Sequence, residues 1–303
     1  MPITRRRLIT ISAAFAMLPA AAHASMRTSR LWTGQALGAR ASIRIDHPDG
    51  EAISRRVMAE INRLEDILSL YRPNSSLATL NREGQLASPP FELLECMSLA
   101  GGVHAATGGR FDPTIQPLWA LWAEAAAQGK RPEARAIEQA RRNVGWHMVE
   151  LDVAGITLKH GMALSLNGVG QGYVADRVAA LLEAEGLNNI LIDTGELRAL
   201  GGQPEGGGWP VFLKTGEALK LRQRALASSA PLGTTFDDGG KYGHILDPAT
   251  GMPTLVGWDT VSISAPSAAV ADALATAACL MPNAGSIEAM LTGFAGARLE
   301  GSV

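Results

Sequence analysis

The chain has 303 residues, 27 basic and 29 acidic side chains, and a formal net charge of −2. No basic patch lies outside its first few residues, which argues against nucleic acid as a partner. The length suits one large domain or two intimately packed lobes.

The first segment reads as an address rather than as part of the fold. Thr4-Arg5-Arg6-Arg7 is basic, Leu8 to Leu18 is a short apolar core, and Ala22-His23-Ala24 is a small-x-small cleavage signature. This pattern predicts an export signal over residues 1–24, and the adjacent arginines predict the twin-arginine route, which carries folded proteins. The apolar core is too short and too rich in alanine to favour a permanent anchor. The expectation is a soluble periplasmic protein beginning near Ser25. Losing residues 1–24 removes three arginines and no acid, so 279 residues remain with a net charge of −5.

Downstream, Ile53, Val57, Ile61, Leu64, Ile67 and Leu68 recur at helical spacing and predict a helix over 52–68. A turn cluster follows at Tyr71-Arg72-Pro73-Asn74-Ser75, then a short helical turn over 76–82 and a helix over 91–106. Leu118, Trp119, Leu121 and Trp122 form an aromatic-rich stretch in which the tryptophans read as core. Residues 128–132 read as a surface loop and 133–143 as a charged helix. From Met148 the period becomes two, through Val149 and Leu151, Ile156 and Leu158, and Leu164 and Leu166, predicting strands with tight turns. A helix is expected over 172–185 and strands at 190–192, 211–213, 226–228 and 261–264. Helices mixed with hairpin-like strands give an α+β fold. Cys96 and Cys279 sit in apolar helical surroundings and read as two separate buried thiols. The absence of Cys-x-x-Cys gives thioredoxin-like chemistry and haem attachment little support.

Three segments carry candidate chemistry. Asn167-Gly168-Val169-Gly170-Gln171-Gly172 lacks the spacing and context of a dinucleotide fingerprint. It reads either as a tight strand-to-helix turn or as a glycine loop whose free N–H groups at a helix start suit a phosphate. Asp272 and Thr276, four apart on an apolar helix, point the same way. They read either as an isolated surface acid and a helix-bonded hydroxyl or as oxygen ligands of a hard cation. His244, before Ile245-Leu246 and the Asp247-Pro248-Ala249-Thr250-Gly251 turn, reads as structural or as a base. Asp112, just before Pro113, reads as a cap or as a ligand.

As an ordered set these segments resemble the ApbE family, the FAD:protein FMN transferases. The likeness runs through Ala36-Leu37-Gly38, Leu68-Ser69-Leu70-Tyr71, Ser75-Ser76-Leu77, Leu80-Asn81 and Thr107-Gly108-Gly109-Arg110-Phe111-Asp112-Pro113-Thr114. It continues through Leu166 to Tyr173, Asp193-Thr194-Gly195-Glu196, Gly243 to Gly251 and Ala265 to Thr276, nearly the whole of 25–303 as a single domain. The resemblance implies an ApbE-like α+β fold of mixed short strands and helices in two packed lobes. It also implies Mg²⁺-dependent transfer of FMN from FAD to a threonine or serine of an acceptor flavoprotein, with release of AMP.

Asp272 and Thr276 match the family's side-chain metal ligands, and Gly170 matches its backbone-carbonyl ligand. Leu37, Tyr71, Arg110, Phe111, Asp112, Asn167, Tyr173 and His244 fall where the family contacts FAD, and His244 is the expected aid to transfer. The chain departs from the family at Gln171, where a lysine is usual, and at Gly170, where alanine is usual. Ala230-Pro231-Leu232-Gly233 also replaces a customary Gly-Asp-Tyr segment. The Asn-Gly-x-x-Gln-Gly form resembles the NosX-like branch, whose target is a membrane-bound flavoprotein on the periplasmic side. The alternatives are an FAD pyrophosphatase giving FMN and AMP, and a non-catalytic periplasmic flavin-binding protein. No Ser-Gly-Ala-Thr acceptor segment occurs in the chain, so self-flavinylation is not expected.

Overall fold

The structure, a computed structural model, describes residues 30–45 and 47–303, so the expected export signal lies outside it. Strands β1 (Arg30–Ala36) and β2 (Ala39–Ile45) form an antiparallel hairpin that turns at Leu37 and Gly38, both at positive φ. Helix α1 (Gly50–Leu68) buries the six apolar residues whose spacing predicts it. Helix α2 (Ser76–Glu83) starts where the Ser75 hydroxyl accepts the Ala78 N–H and stops at Gly84, whose φ is 73°. Strand β3 (Gln85–Ala87) and helix α3 (Phe91–Ala106) follow. The aromatic-rich stretch is helix α4 (Gln116–Ala127), entered through a 3₁₀ turn at Pro113–Ile115, and the charged segment is α5 (Ala134–Arg141).

Strands β4 (Val149–Leu151) and β5 (Gly155–Leu158) join β3 in a small sheet of order β3-β5-β4. Leu164 and Leu166 are buried but form no strand, contrary to the alternation. Asn81 takes both backbone groups of Leu164, donating to its carbonyl at 2.9 Å and accepting its N–H at 2.7 Å. A side chain thus does what a neighbouring strand would have done, and the segment stays irregular.

Helix α6 (Gly170–Ala184) leads to β6 (Ile190–Asp193), β7 (Leu197–Leu200), β8 (Trp209–Phe212), β9 (Ala218–Leu221) and β10 (Ala225–Ser229). The chain ends with β11 (Val261–Ala265), α7 (Ala268–Ala278), α8 (Ala284–Leu291) and β12 (Arg298–Ser302). The main sheet has the order β1-β2-β6-β7-β10-β11-β12, antiparallel throughout, so the fold is mixed α+β.

Strand alternation decides what covers each face of this sheet. Ile190, Ile192, Leu200, Ala225, Ala227, Val261 and Ile263 enter the main core with residues of α1, α3, α6 and α7. Leu191, Leu197, Ala199 and Leu226 face the other way, onto Val211 and Leu221 of the β8–β9 hairpin. A third apolar cluster joins Leu118 and Trp122 of α4, Ile137 of α5, Phe236 and Leu246. Cys96 and Cys279 are buried free thiols, as expected.

Candidate active site

A cleft lies where β7 begins and β10 ends, between the main core and the α4 cluster. It holds about 1190 Å³ of space out to open solvent. Its walls come from the turn between α1 and α2 (Tyr71), the 110–119 segment, the α6 loop, the end of β10, the 233–248 segment and α7. Eight sequence-predicted site residues meet here: Tyr71, Arg110, Phe111, Asp112, Asn167, His244, Asp272 and Thr276. Gly170, Leu37 and Tyr173 are not among the lining residues.

Small residues at the α6–α7 crossing set this arrangement. A Cβ on Gly172 would lie 2.2 Å from the Ala268 carbonyl oxygen, so only glycine lets α7's first turn rest on α6. That approach puts the Gly172 N–H on Asp272 Oδ2 at 3.3 Å. A Cβ on Gly168 would meet Thr276 Oγ1 at 3.0 Å and Phe111 at 3.2 Å, so this glycine opens the cleft floor. Gly170 instead receives the Leu37 side chain, 2.8 Å from where its Cβ would be. The glycine loop therefore serves helix packing and the burial of Asp272 as well as access from the cleft. α7 itself is held by Asp176 of α6, which accepts the Ala268 and Ala269 N–H groups, each at 3.0 Å, and the Ser267 hydroxyl at 2.7 Å. Arg198 on β7 donates to the same carboxylate at 3.1 Å.

The carboxyl groups of the cleft are deeply buried. Asp272 is 4 % exposed, and burial pushes its carboxyl up to about 7, against the opposing pull of the Gly172 N–H. Glu196, 7 % exposed, stands just after the β6–β7 turn and accepts the Ser228 N–H at 3.3 Å. Burial, and then the charge of Asp272, push the Glu196 carboxyl well above its usual range. Sequence reasoning did not single out Glu196. The signal was an acid directly after Gly195, at a turn whose Asp193 side chain accepts the Gly195 N–H at 3.0 Å. Gln171, 5 % exposed, lines the cleft, as do Ser228, Ser229 and Trp119. Trp119 thus belongs to the cleft wall while packing edge-on to Phe236, whereas Trp122 is core as expected.

His244 is half-buried beside the cleft, and desolvation lowers its imidazole pKa below the ordinary 6.5, partly offset by the Thr234 and Pro231 carbonyls. Its Nδ1 lies 3.2 Å from the Thr234 carbonyl oxygen, which only accepts, so in the neutral ring Nδ1 carries the proton and Nε2 the lone pair. Asn167 donates to the Tyr71 hydroxyl at 3.0 Å across the cleft. Arg110 donates to the Leu280 carbonyl at 3.2 Å, tying the 107–114 turn to the end of α7. Asp112 accepts the Thr114 N–H at 2.8 Å and hydroxyl at 2.6 Å, so its capping role is filled while it lines the cleft. Leu37 donates its N–H to Glu65 at 2.7 Å, and the Tyr173 hydroxyl donates to Glu95. The first contact ties the β1–β2 turn to α1, and the second ties α6 to α3.

Asp272 and Thr276 fit the hard cation suggested by their spacing. A carboxylate with one oxygen bonded by Gly172 and a hydroxyl on the next turn are oxygen donors facing one space. No group of three or more His, Cys, Asp or Glu converges among the described residues, so a zinc-like cluster is not the arrangement found there.

The family profile described as "ApbE family" matches residues 37–293. The chain is 30% identical to the FAD:protein FMN transferase of Chlamydia pneumoniae over 237 residues, covering 74% of this chain and 75% of that protein. It is 30% identical to the FAD:protein FMN transferase of Treponema pallidum (strain Nichols) over 257 residues, 75% and 70% of the two chains. Its fold superposes on the crystal structure of Pseudomonas stutzeri flavinyl transferase ApbE, apo form, with a TM-score of 0.79 at 26% identity, covering 93% and 96%. The ApbE protein of Thermotoga maritima gives 0.79 at 25% identity, covering 90% and 93%. With a profile match over most of its length and this cleft at the end of its sheet, the chain belongs to the ApbE family and is an enzyme.

Proposed function

We propose that this protein transfers FMN from FAD to a serine or threonine hydroxyl of an acceptor flavoprotein, releasing AMP, with Mg²⁺ as the cation at Asp272 and Thr276. The observation that carries the reading is the convergence of His244, Asp272 and Thr276 on one cleft in a chain similar to proteins named FAD:protein FMN transferases. Tyr71, Asn167 and Arg110 are suited to grip the flavin half and its phosphate from the rim. His244 presents the Nε2 lone pair to the acceptor hydroxyl and takes its proton. The hydroxyl oxygen bonds to the phosphorus on the FMN side, and the bridging P–O bond breaks towards AMP. When bound, the cation neutralises pyrophosphate charge, which a phosphoryl transfer needs more than covalent help. Trp119 and the 230–234 segment border the same opening and would exclude water once an acceptor sits there.

The expected export signal gives the place of action as the periplasm, reached by the twin-arginine route, with an acceptor associated with the membrane on that side. No helix among the described residues is long and apolar enough to cross a membrane.

The test is in-gel flavin fluorescence after incubating the protein with FAD, Mg²⁺ and an acceptor domain carrying a threonine flavinylation segment, with and without EDTA. An EDTA-sensitive fluorescent band at the acceptor's mass is the expected outcome. AMP release without labelled acceptor would replace the reading with a pyrophosphatase, and tight FAD binding without turnover would replace it with a flavin carrier.

A further inference from the structure

Two buried carboxyl groups, Asp272 and Glu196, line the same cleft from different elements. Asp272 comes from α7 and Glu196 from the tip of the β6–β7 hairpin. Each is anchored through one oxygen by a backbone N–H, Gly172 for Asp272 Oδ2 and Ser228 for Glu196 Oε2. The second oxygen of each has no hydrogen-bond donor among the described residues, and neither is a sealed-off atom. The hairpin tip is itself fixed on α6, because the Thr194 hydroxyl donates to the Gln171 carbonyl at 3.2 Å. Beside them the Gln171 side chain, 95 % buried and lining the cleft, has no hydrogen-bond partner among the described residues.

An amide and two carboxyl oxygens that have no protein partner among the described residues, and that open only onto the cleft, mark a place where something in the cleft completes the bonding. Among the described lining residues the cationic groups are Arg110, whose guanidinium bonds the Leu280 carbonyl on the exposed rim, and His244, which desolvation keeps neutral. Neither compensates a pair of buried carboxylates. An oxygen-coordinated divalent cation does so in charge and in ligand chemistry.

We propose that Glu196 and Gln171 join Asp272 and Thr276 in one divalent-cation site, so that two carboxylates rather than one hold the ion. This rests on the cation reading of the proposed function and deepens it. Two carboxylates neutralise a divalent ion without help from substrate phosphates. The cation is therefore resident in the free protein rather than delivered with FAD.

The test is binding of Mn²⁺ alone to the full chain at pH 8, without FAD, read from the electron paramagnetic resonance signal of free Mn²⁺. The expected result is one Mn²⁺ per chain in the wild type, with affinity weakened about tenfold or more by Glu196→Gln. Asp272→Asn should weaken it further, and Glu196→Asp should retain more affinity than Glu196→Gln. A Glu196→Gln protein that binds Mn²⁺ within twofold of wild type overturns the proposal, as does a wild type that takes up no Mn²⁺ without FAD. Thermal unfolding verifies that Glu196→Gln is folded. If it is not, Gln171→Ala carries the test, with a tenfold loss supporting the site and unchanged affinity overturning it. Flavin transfer by the same preparation separates the two readings. Transfer with Glu196-independent Mn²⁺ binding sinks only this inference, and Glu196-dependent binding without transfer sinks only the transferase.

Discussion

Burial acts on Asp272 and His244 in opposite charge senses, keeping the carboxyl protonated further up the pH scale and the imidazole neutral further down it. The histidine is thereby shifted towards the neutral base, with Nδ1 engaged by the Thr234 carbonyl. Replacing it by glutamine keeps a polar side chain but removes the proton acceptor. His244→Gln is expected to slow transfer by about 10²- to 10⁴-fold while FAD affinity changes little, measured by stopped samples in the fluorescence assay and by flavin titration. A variant that transfers at the original rate would remove His244 from the chemistry. Asp272→Ala is expected to abolish cation-dependent transfer and still give a folded protein, because the change leaves an alanine in a helix already rich in alanine. Unaltered, EDTA-sensitive transfer by that variant would show that the cation sits elsewhere.

Helix α7 delivers Asp272 and Thr276, and besides the close approach at Gly172 its first turn is held by Asp176 of α6. Asp176 accepts two N–H groups of α7's first turn and the Ser267 hydroxyl, and pairs with Arg198 at the same time. Asp176→Ala leaves those donors and the partly buried Arg198 without their partner, so a loss of about 2 kcal/mol or more in denaturant unfolding is expected. A loss under about 0.5 kcal/mol would mean that Ser267 alone caps α7 adequately. Sequence made the elements themselves legible where a period was sustained, as in α1, whose six predicted apolar residues are all buried. It failed where a tertiary partner overrode the period. Leu164 and Leu166 alternate like a strand, but Asn81 supplies the hydrogen bonds. Trp119 looked like core because composition does not say which side of α4 faces a cleft. Asp176 and Glu196 were given no role for a related reason, although Glu196 stands in a matched segment: each is an ordinary acid until the fold sets backbone N–H groups against it.

At the scale of the molecule, the main sheet, α6 and α7 form one apolar core with ionisable groups sunk into the cleft at its edge. Folding therefore changes the proton affinity of these groups, and stability must follow pH. The folded carboxyl of Asp272 is raised from its ordinary 3.8 to about 7, and Glu196 is raised in the same direction. Between pH 4 and 7 the folded state thus binds more protons at these groups than the unfolded chain does. Their contribution to stability is complete below the unfolded values and is lost as pH rises through the folded ones. Comparing Asp272→Asn with wild type isolates this effect from the other titrating groups. Without divalent cations, the variant's Tm should exceed that of wild type at pH 8 by a few degrees, roughly the shift from 1–2 kcal/mol in a chain this size, and the gap should narrow as pH falls and close only near the unfolded value, about pH 4. A cation competes with protons for the same oxygens, so added Mg²⁺ should raise the wild-type Tm at pH 8, do little at pH 5, and do little to the variant at either pH. Differential scanning calorimetry across that range decides the matter. A wild type whose Tm ignores Mg²⁺ at pH 8 would leave the buried pair without the partner that its geometry and charge call for.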